Sequence, residues 1–133
     1  MSTEASNPQR GGLLQIGEVA DRVGLSLRTV RYYEEQGLLE PESRSPGGFR
    51  LYSEAQVDRL ALIKQMKPLG FTIQEMCAVL DARDTLRTAA AGAVEAAATL
   101  TEYADAADKR LAKLQLQLEQ AKGLAGQLRR EAL

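Results

Sequence analysis

The sequence predicts a mainly α fold in two parts, a winged helix-turn-helix domain followed by one long helix. Three observations support this prediction. A glycine-containing turn at residues 24–26 joins two short amphipathic patterns, a Pro-Gly-Gly turn at 46–48 lies between two short strand-like segments, and an apolar series with alternating spacings of four and three runs through the last third of the chain. The predicted boundaries are a disordered tail at 1–12, the first domain at 13–82, a linker or weak helix at 83–98 and a dimerisation helix at 99–133.

The composition excludes several classes of site. The 133 residues carry a formal net charge of −1, one cysteine and no histidine. A single cysteine excludes a disulfide within the chain and a multi-cysteine zinc site. Because the net charge is close to zero, any affinity for a polyanion must come from the local placement of basic residues. No apolar run is long enough to span a membrane, and residues 1–12 lack the apolar core of a secretory signal, so we expect a cytoplasmic protein.

The first helix is expected to start near Gln15 or Ile16. Apolar residues at positions 16, 19, 20 and 23 follow the i, i+3, i+4, i+7 pattern of an amphipathic helix. Gln15 is a poor N-cap residue, but the acidic side chain of Glu18 favours a first helical turn through the helix dipole. Gly24 then begins the turn to the second helix.

The second helix has both a start signal and a stop signal. Ser26 can cap its N-terminus, and Gly37 can end it in the left-handed conformation. Leu27, Val30 and Tyr33 share one face, which we expect to be buried. A helix, a short glycine turn and a capped second helix together form a helix-turn-helix pattern.

The opposite face of the second helix carries Arg28, Arg31 and Tyr32. Arginine can donate two hydrogen bonds at once to base acceptors or phosphate oxygens, so this face suits a polyanion. The alternative is an ordinary helical hairpin whose arginines only solvate the surface.

A wing is predicted after the second helix. The Pro-Gly-Gly segment at 46–48 is a strong turn signal. After it, Phe49 and Leu51 alternate with Arg50 and Tyr52, as residues on the two faces of a strand do. We therefore expect a two-stranded hairpin.

An isolated hairpin is only marginally stable, so the wing must pack on the helices through Leu39, Phe49 or Leu51. Arg44 and Arg50 lie near the tip of this hairpin. They either belong to a solvated loop or contact phosphates or a minor groove, and their position beside a helix-turn-helix favours the second interpretation.

Two capping boxes predict the next helices. Ser53 with Gln56, and Thr72 with Glu75, have the spacing in which side chain and backbone cap each other. Pro68 should end or kink the helix between them.

The helix after Thr72 carries an apolar stripe at Ile73, Met76, Cys77 and Leu80. Cys77 lies within the stripe, so we interpret it as a small buried side chain. A reactive or metal-binding thiol is the alternative.

The long helix has an apolar seam sustained over four heptads. Its positions are Leu100, Ala104, Ala107, Leu111, Leu114, Leu118, Ala121, Ala125 and Leu128. A straight helix over this seam is about 42 Å long, more than a domain of roughly 70 residues can cover. The predicted partner is the same helix in a second copy. The alternative is a lone helix that folds back on the first domain, and the spacing alone does not give the orientation of a pair.

These features together resemble those of the MerR family of bacterial transcription regulators. The matching segments are 16–20, 24–26, 29–34, 37–39, Pro41, Arg44, 48–52 and 69–71. The Arg-Tyr-Tyr-Glu block followed by the Gly-Phe-Arg-Leu-Tyr wing is specific in combination. The long helix resembles the antiparallel dimerisation helix of that family in position and pattern.

The resemblance implies a homodimer that binds double-stranded promoter DNA at a pseudo-palindromic site and acts with RNA polymerase by distorting the promoter spacer. Arg28 and Arg31 would meet the major groove and Tyr32 a phosphate, while the wing would hold the DNA backbone. The predicted DNA-binding residues are Ser26, Arg28, Thr29, Arg31, Tyr32, Arg44, Arg50 and Tyr52.

The chain departs from the family pattern in two respects, of which the second bears on an effector. Pro68 lies at a helix end where the family usually carries a helix former, and no cysteine follows Cys77, so a metal-sensing loop is not supported. We expect no cofactor and no separate effector domain. A small-molecule effector could lie near Tyr103, but a packing role for Tyr103 is the preferred interpretation.

Two other classes of function are alternatives. The long helix could bind a different partner helix in an interaction module that recognises no promoter. An enzyme is disfavoured because the chain has no histidine, no convincing acidic pair and no glycine-rich phosphate loop before a helix.

Overall fold

The computed structural model describes residues 12–88 and 91–133, and it divides into two compact units, Met1–Leu80 and Asp81–Leu133. The predicted disordered tail at 1–12 lies, except for Gly12, outside the described residues. The elements in chain order are β1 Leu14–Gln15, α1 Ile16–Val23, α2 Leu27–Glu35, β2 Ser43–Arg44, β3 Arg50–Tyr52, α3 Glu54–Met66, a 3-10 turn Lys67–Leu69, α4 Ile73–Arg87 and α5 Ala93–Glu131. The mainly α architecture with a small wing is the predicted fold class.

The predicted two-stranded hairpin is confirmed as β2 and β3, and a third strand, β1, extends it to a three-stranded antiparallel sheet. The strand order is β1-β3-β2, with Leu14 opposite Tyr52 and Arg44 opposite Arg50. The extra strand, β1, has two residues and leads directly into α1. Its pairing with β3 ties the start of the helix-turn-helix to the wing.

The core of the first unit lies where α1, α2 and α3 meet the sheet. Its fully buried large side chains are Val19, Val30, Leu38, Leu39, Tyr52, Leu60, Ile63, Met76 and Leu80. Burial of each large apolar side chain contributes roughly 1.5–3 kcal/mol to folding. The predicted inner face of α2 is buried at Val30 and Tyr33, whereas Leu27 is 41% exposed because it occupies the first helical turn.

Basic residues of α3 hold the end of α1 and the segment that follows α2. Lys64 Nζ donates to the carbonyl of Val23 at 2.7 Å, and Arg59 Nε donates to the carbonyl of Leu38, three residues beyond α2, at 3.1 Å. The Val23 carbonyl is at a helix C-terminus, where carbonyls lack helical partners and a cation meets the negative end of the helix dipole. These two contacts hold the helix-turn-helix against α3.

Of the two predicted capping boxes, one is present in the structure and the other is not. The capping box at residues 72–75 is confirmed, since the Thr72 N–H donates to Glu75 Oε1 at 2.9 Å and the Glu75 N–H donates to Thr72 Oγ1 at 3.1 Å. The box at residues 53–56 is wrong. In the described part of the chain the Ser53 side chain makes no capping bond, and Gln56 Oε1 instead accepts the N–H of Glu40 at 3.1 Å. Pro68 ends α3 as predicted, because the helix gives way to the 3-10 turn.

Cys77 is half-buried in α4, so the expected burial is only partial. The buried residues of this helix are Met76, Val79, Leu80 and Ala82. The segment 83–98, for which a loop and a weak helix were both open, contains the end of α4 and the start of α5.

The second unit is dominated by α5, which has 39 residues. At the usual helical rise it is about 58 Å long. Of its residues only Ala96 is buried, and Leu111, Leu114, Leu118 and Leu128 of the seam are between 43% and 56% exposed in the single chain. None of the described helices is long and apolar enough to cross a membrane.

Candidate nucleic-acid interface

The N-terminus of α2 is fixed by its own side chains. Ser26 Oγ accepts the N–H of Thr29 at 3.0 Å, which confirms Ser26 as the cap, and its hydroxyl donates to Thr29 Oγ1 at 2.9 Å. Both residues were predicted to bind DNA. In this structure their hydroxyls set the start of the helix, and any DNA contact by them stays a prediction.

The outer face of α2 presents the predicted charged and aromatic side chains. Val30 is fully buried, whereas Arg28 and Arg31 are exposed and Tyr32 is 47% exposed. The rings of Tyr32 and Tyr33 lie 5.6 Å apart and are tilted by 56°. Burial, with a smaller contribution from neighbouring Tyr32, raises the pKa of Tyr33. The helix therefore has one apolar face in the core and one face that can enter a groove.

The wing tip is a tight turn between β2 and β3. The Ser45 N–H donates to the carbonyl of Phe49 at 2.8 Å, and Gly48 adopts a φ of 85°, which favours glycine. Arg44 Nη1 donates to the carbonyl of Gly48 at 3.0 Å. This bond holds the Arg44 side chain against the turn.

A cleft of about 170 Å³ separates α2 from the wing. Three of its side chains are cationic, and we name it the arginine cleft. It is lined by Gln15, Ile16, Gly17, Arg31, Arg44, Gly48, Phe49 and Arg50. Three guanidinium groups around one small opening suit a phosphate group, because each can donate two parallel hydrogen bonds.

Glu34 joins α2 to the wing beside this cleft. Its Oε1 accepts the Tyr52 hydroxyl at 2.6 Å, and its Oε2 lies 3.0 Å from Arg50 Nε. Burial, reinforced by the hydrogen bond to Glu34, raises the pKa of Tyr52 well above its ordinary value. Tyr52 thus acts as a neutral donor inside the domain.

The structure places Tyr52, which was predicted to hold the DNA backbone from the wing, inside the domain, and any DNA contact by it stays a prediction. Tyr52 is fully buried and its hydroxyl is engaged by Glu34. The expected alternation fails because α1 and α3 both pack on β3, so Leu51 and Tyr52 are buried together.

Phe49 and Glu34 are the site residues that sequence reasoning missed. Phe49 was expected to pack on the helices, but it is 65% exposed and lines the arginine cleft. Its place beside Gly48 at a turn was the available signal, since turn tips face solvent. Glu34 gave no local signal, because its partners lie 16 and 18 positions further along the chain.

Two family models match the chain, each over more than half of its length. The model described as MerR HTH family regulatory protein matches residues 14–83, and the model described as MerR, DNA binding matches residues 57–130.

Similar proteins include two curated regulators. The chain is 46% identical over 70 residues to the mercuric resistance operon regulatory protein of Bacillus cereus, a match that covers 53% of each chain. It is 39% identical over 71 residues to the HTH-type transcriptional regulator ZntR of Escherichia coli strain K12, covering 53% of this chain and 50% of that protein. The chain thus spans about half the length of the curated relatives it matches.

Two solved structures have a similar fold. HiNmlR, a regulator that lacks the sensor domain and was solved bound to promoter DNA, has a TM-score of 0.68 at 21% identity, with 91% of this chain and 94% of that chain covered. The N-terminal part of MtaN, the multidrug transporter activator of Bacillus subtilis, has a TM-score of 0.56 at 27% identity, with coverage of 90% and 98%.

Proposed function

Because the chain belongs to the MerR family of regulators, we propose that it binds promoter DNA in a sequence-specific manner as a homodimer and thereby regulates transcription. The observation that carries the proposal is the outer face of α2. Arg28, Arg31 and Tyr32 project from a helix whose opposite face is locked in the core. A rigid helix with exposed arginines is the element that a major groove accepts.

The arginine cleft supports a second contact on the DNA backbone. Arg31 lies on α2, whereas Arg44 and Arg50 face each other across the wing strands. A protein that places guanidinium groups on both a helix and a wing can hold phosphates on either side of the groove that the helix enters. We assign Arg28 and Arg31 to the major groove, with Arg31 at the side of the groove next to the wing, and Tyr32, Arg44 and Arg50 to the backbone.

Binding of this kind must depend on salt. The net charge of the whole chain is −1, so attraction comes from the arginine-bearing face alone. If a dimer neutralises about six to ten phosphates, its affinity falls by about three to five orders of magnitude between low and moderate salt.

The names of the relatives support a role in regulation. The curated matches are a mercuric resistance operon regulator and a transcriptional regulator, and HiNmlR was solved on promoter DNA. We further propose that the dimer acts with RNA polymerase by distorting the promoter spacer. Two recognition helices on a rigid dimer can bend or untwist the DNA between their half-sites.

The homodimer is supported by a symmetry in the α5 seam. Read from Leu100 to Leu128, the seam residues are Leu, Ala, Ala, Leu, Leu, Leu, Ala, Ala and Leu, a palindrome centred on Leu114. In an antiparallel pair centred there, Leu111 lies opposite Leu118 of the partner subunit, and every other layer also joins residues of equal size. Equal layers allow even packing along the whole seam.

The charges of α5 favour the antiparallel orientation. Residues 93–108 contain four acidic and no basic side chains, whereas residues 109–131 contain six basic and two acidic ones. An antiparallel pair sets the acidic half of each helix against the basic half of the other, while a parallel pair sets like charges together. Neither the seam nor the charges require a partner of different sequence.

A footprint on the DNA upstream of the gene for this chain, at two salt concentrations, tests the proposed recognition. We expect a two-fold symmetric protected region with hypersensitive bases at its centre and weaker protection at the higher salt concentration. Arg28→Ala and Arg31→Ala should abolish protection, whereas Lys109→Ala, which removes a cation from α5, should retain it. If neither that DNA nor a random pool of duplexes is bound selectively at low salt, the proposal is wrong.

The homodimer is tested by sedimentation equilibrium of two matched variants. Leu118 is on the seam and 54% exposed, whereas Leu116 is 59% exposed and lies on the opposite side of α5. Leu118→Lys should yield monomers, and Leu116→Lys should remain a dimer. A wild-type monomer that pairs only with a helix of another protein would instead support an interaction module.

A further inference from the structure

We propose that Glu34 is a positioning residue that sets DNA specificity by fixing the wing arginine Arg50 relative to the recognition helix α2. The inference rests on the proposed function. The two oxygens of one carboxylate hold two side chains of β3, with Oε2 at 3.0 Å from Arg50 Nε and Oε1 at 2.6 Å from the Tyr52 hydroxyl. Helix and wing are thereby joined at one point.

The surroundings of Glu34 make this link rigid. The Glu34 side chain is 17% exposed, and Tyr52 is fully buried. The Arg50 side chain is 44% exposed, so the carboxylate is the shielded member of the pair. A mostly buried carboxylate that also accepts a hydrogen bond from a buried hydroxyl holds its geometry better than an exposed one does. Rotation of Arg50 away from the arginine cleft would leave the Glu34 carboxylate without its ion pair in a mostly buried position.

The other two arginines of the cleft are placed independently. Arg44 is held by the carbonyl of Gly48, and Arg31 belongs to α2 itself, one helical turn before Glu34. Arg50 is the cross-strand neighbour of Arg44. Within the described residues, the contact with Glu34 therefore couples the wing cation Arg50 to the helix that would read the bases.

A carboxylate beside three arginines reduces attraction for any DNA, because it lowers the local positive potential. Its benefit must therefore lie in orientation. A restrained Arg50 reaches a phosphate only when the groove entered by α2 has the cognate shape. An Arg50 side chain without the contact to Glu34 could reach a phosphate on a duplex of any shape. Glu34 therefore lowers the affinity for DNA in general and raises the ratio of the affinities for cognate and other duplexes.

The experiment compares affinity for a cognate duplex, selected by the wild-type chain from a random pool, with affinity for a scrambled duplex of equal length. Glu34→Gln removes the charge and the ion pair but keeps the size of the side chain. We expect tighter binding to the scrambled duplex, weaker binding to the cognate one, and a ratio of the two affinities about tenfold lower, within the range that one lost specific contact costs.

Two further variants separate position from charge. Glu35→Gln removes the same charge from the exposed neighbouring residue, and it should leave the affinity ratio within about twofold, because charge alone acts on both duplexes alike. Glu34→Asp keeps the charge but shortens the side chain, and it should lower the ratio as Glu34→Gln does. Melting by circular dichroism identifies any variant that fails to fold.

The inference is overturned if Glu34→Gln and Glu34→Asp both fold and keep the wild-type ratio, or if Glu35→Gln lowers it equally. Those outcomes leave the proposed function intact, because the wild-type chain still selects a duplex. If the wild-type chain selects none, the proposed function fails and the role of Glu34 fails with it.

Discussion

Lys64 Nζ donates a hydrogen bond of 2.7 Å to the carbonyl of Val23, the last residue of α1, and so connects α3 to the helix-turn-helix across 41 positions of sequence. Val23 is 7% exposed, and its carbonyl belongs to the last helical turn. The contact therefore both satisfies a helix-end acceptor and places a cation at the negative end of the helix dipole.

Replacement of Lys64 by Met should destabilise the first unit. The variant keeps the aliphatic stem but loses the charged hydrogen bond, and we expect the free energy of unfolding to fall by about 1–2 kcal/mol. Urea denaturation followed by circular dichroism measures this change. Lys109→Met, which removes a cation from α5, is the control, and an equal loss in both variants would refute a specific role for Lys64.

Because Gly24 has no side chain, the Lys64 ammonium group can approach the carbonyl of Val23. Gly24 has a φ of 73°, and a Cβ atom added there would lie 2.9 Å from Lys64 Nζ. Gly24→Ala should therefore cost about 1 kcal/mol for the left-handed backbone and a further fraction of a kcal/mol for displacement of the lysine.

Gly70→Ala is the matched control for the Gly24 variant, because Gly70 has a φ of 81° and no atom within 4 Å of an added Cβ. Gly24→Ala should be the more destabilising of the two in the wild-type background and equal to Gly70→Ala when Lys64 is Met. If the difference persists in the Lys64→Met background, the steric explanation is wrong.

The parts of the fold that were predicted from sequence are those encoded by neighbouring residues. The buried stripe of α1, the Ser26 cap of α2, the left-handed Gly37 and the break at Pro68 each depend on positions within one or two helical turns. The exposed face of α2 followed from the same periodicity. Local rules sufficed there because tertiary packing agrees with them.

The predictions failed where a side chain forms a hydrogen bond with a residue that is far away in the sequence. Gln56 was expected to cap its own helix, but its side chain accepts the N–H of Glu40, 16 positions earlier. Tyr52 was expected on the solvent face of the wing, but it is buried and its hydroxyl donates to Glu34, 18 positions earlier. A two-residue strand such as β1 is too short to carry an alternating pattern. Phe49 was expected to be buried, but it is exposed because it lies at the tip of a turn.

Tyr52 should give the chain a distinct loss of stability in alkali. Burial, followed by the hydrogen bond to Glu34, raises the pKa of Tyr52 above its ordinary value of 10.0. A raised pKa means that the protonated phenol is favoured in the folded state, so this contribution is complete below pH 10.0 and is lost as the pH rises towards the higher folded pKa.

The free energy of unfolding, measured in urea from about pH 9 to about pH 12, should fall more steeply with pH in the wild-type chain than in Tyr52→Phe. Equal slopes in the wild-type chain and in Tyr52→Phe would show that the Tyr52 hydroxyl does not contribute to the alkaline transition.

Charge exchange between Asp108 and Lys122 tests the register of the proposed antiparallel pair. With the seam centred on Leu114, Asp108 of one subunit lies beside Lys122 of the partner subunit, and two-fold symmetry repeats the pair. Asp108→Lys or Lys122→Asp alone should place like charges together at both sites and weaken self-association by about tenfold, since each exposed pair contributes a few tenths of a kcal/mol and each repulsion costs a similar amount.

The double variant should recover most of the wild-type dimer affinity in low-salt sedimentation equilibrium, and the differences should shrink in high salt. Lys122 also lies 3.8 Å from Glu119 of its own chain, so Glu119→Gln controls for that intrahelical contact and should change self-association little. In a parallel pair residues 108 and 122 lie two heptads apart and cannot compensate each other. Additive losses in the double variant would therefore rule out the antiparallel register centred on Leu114.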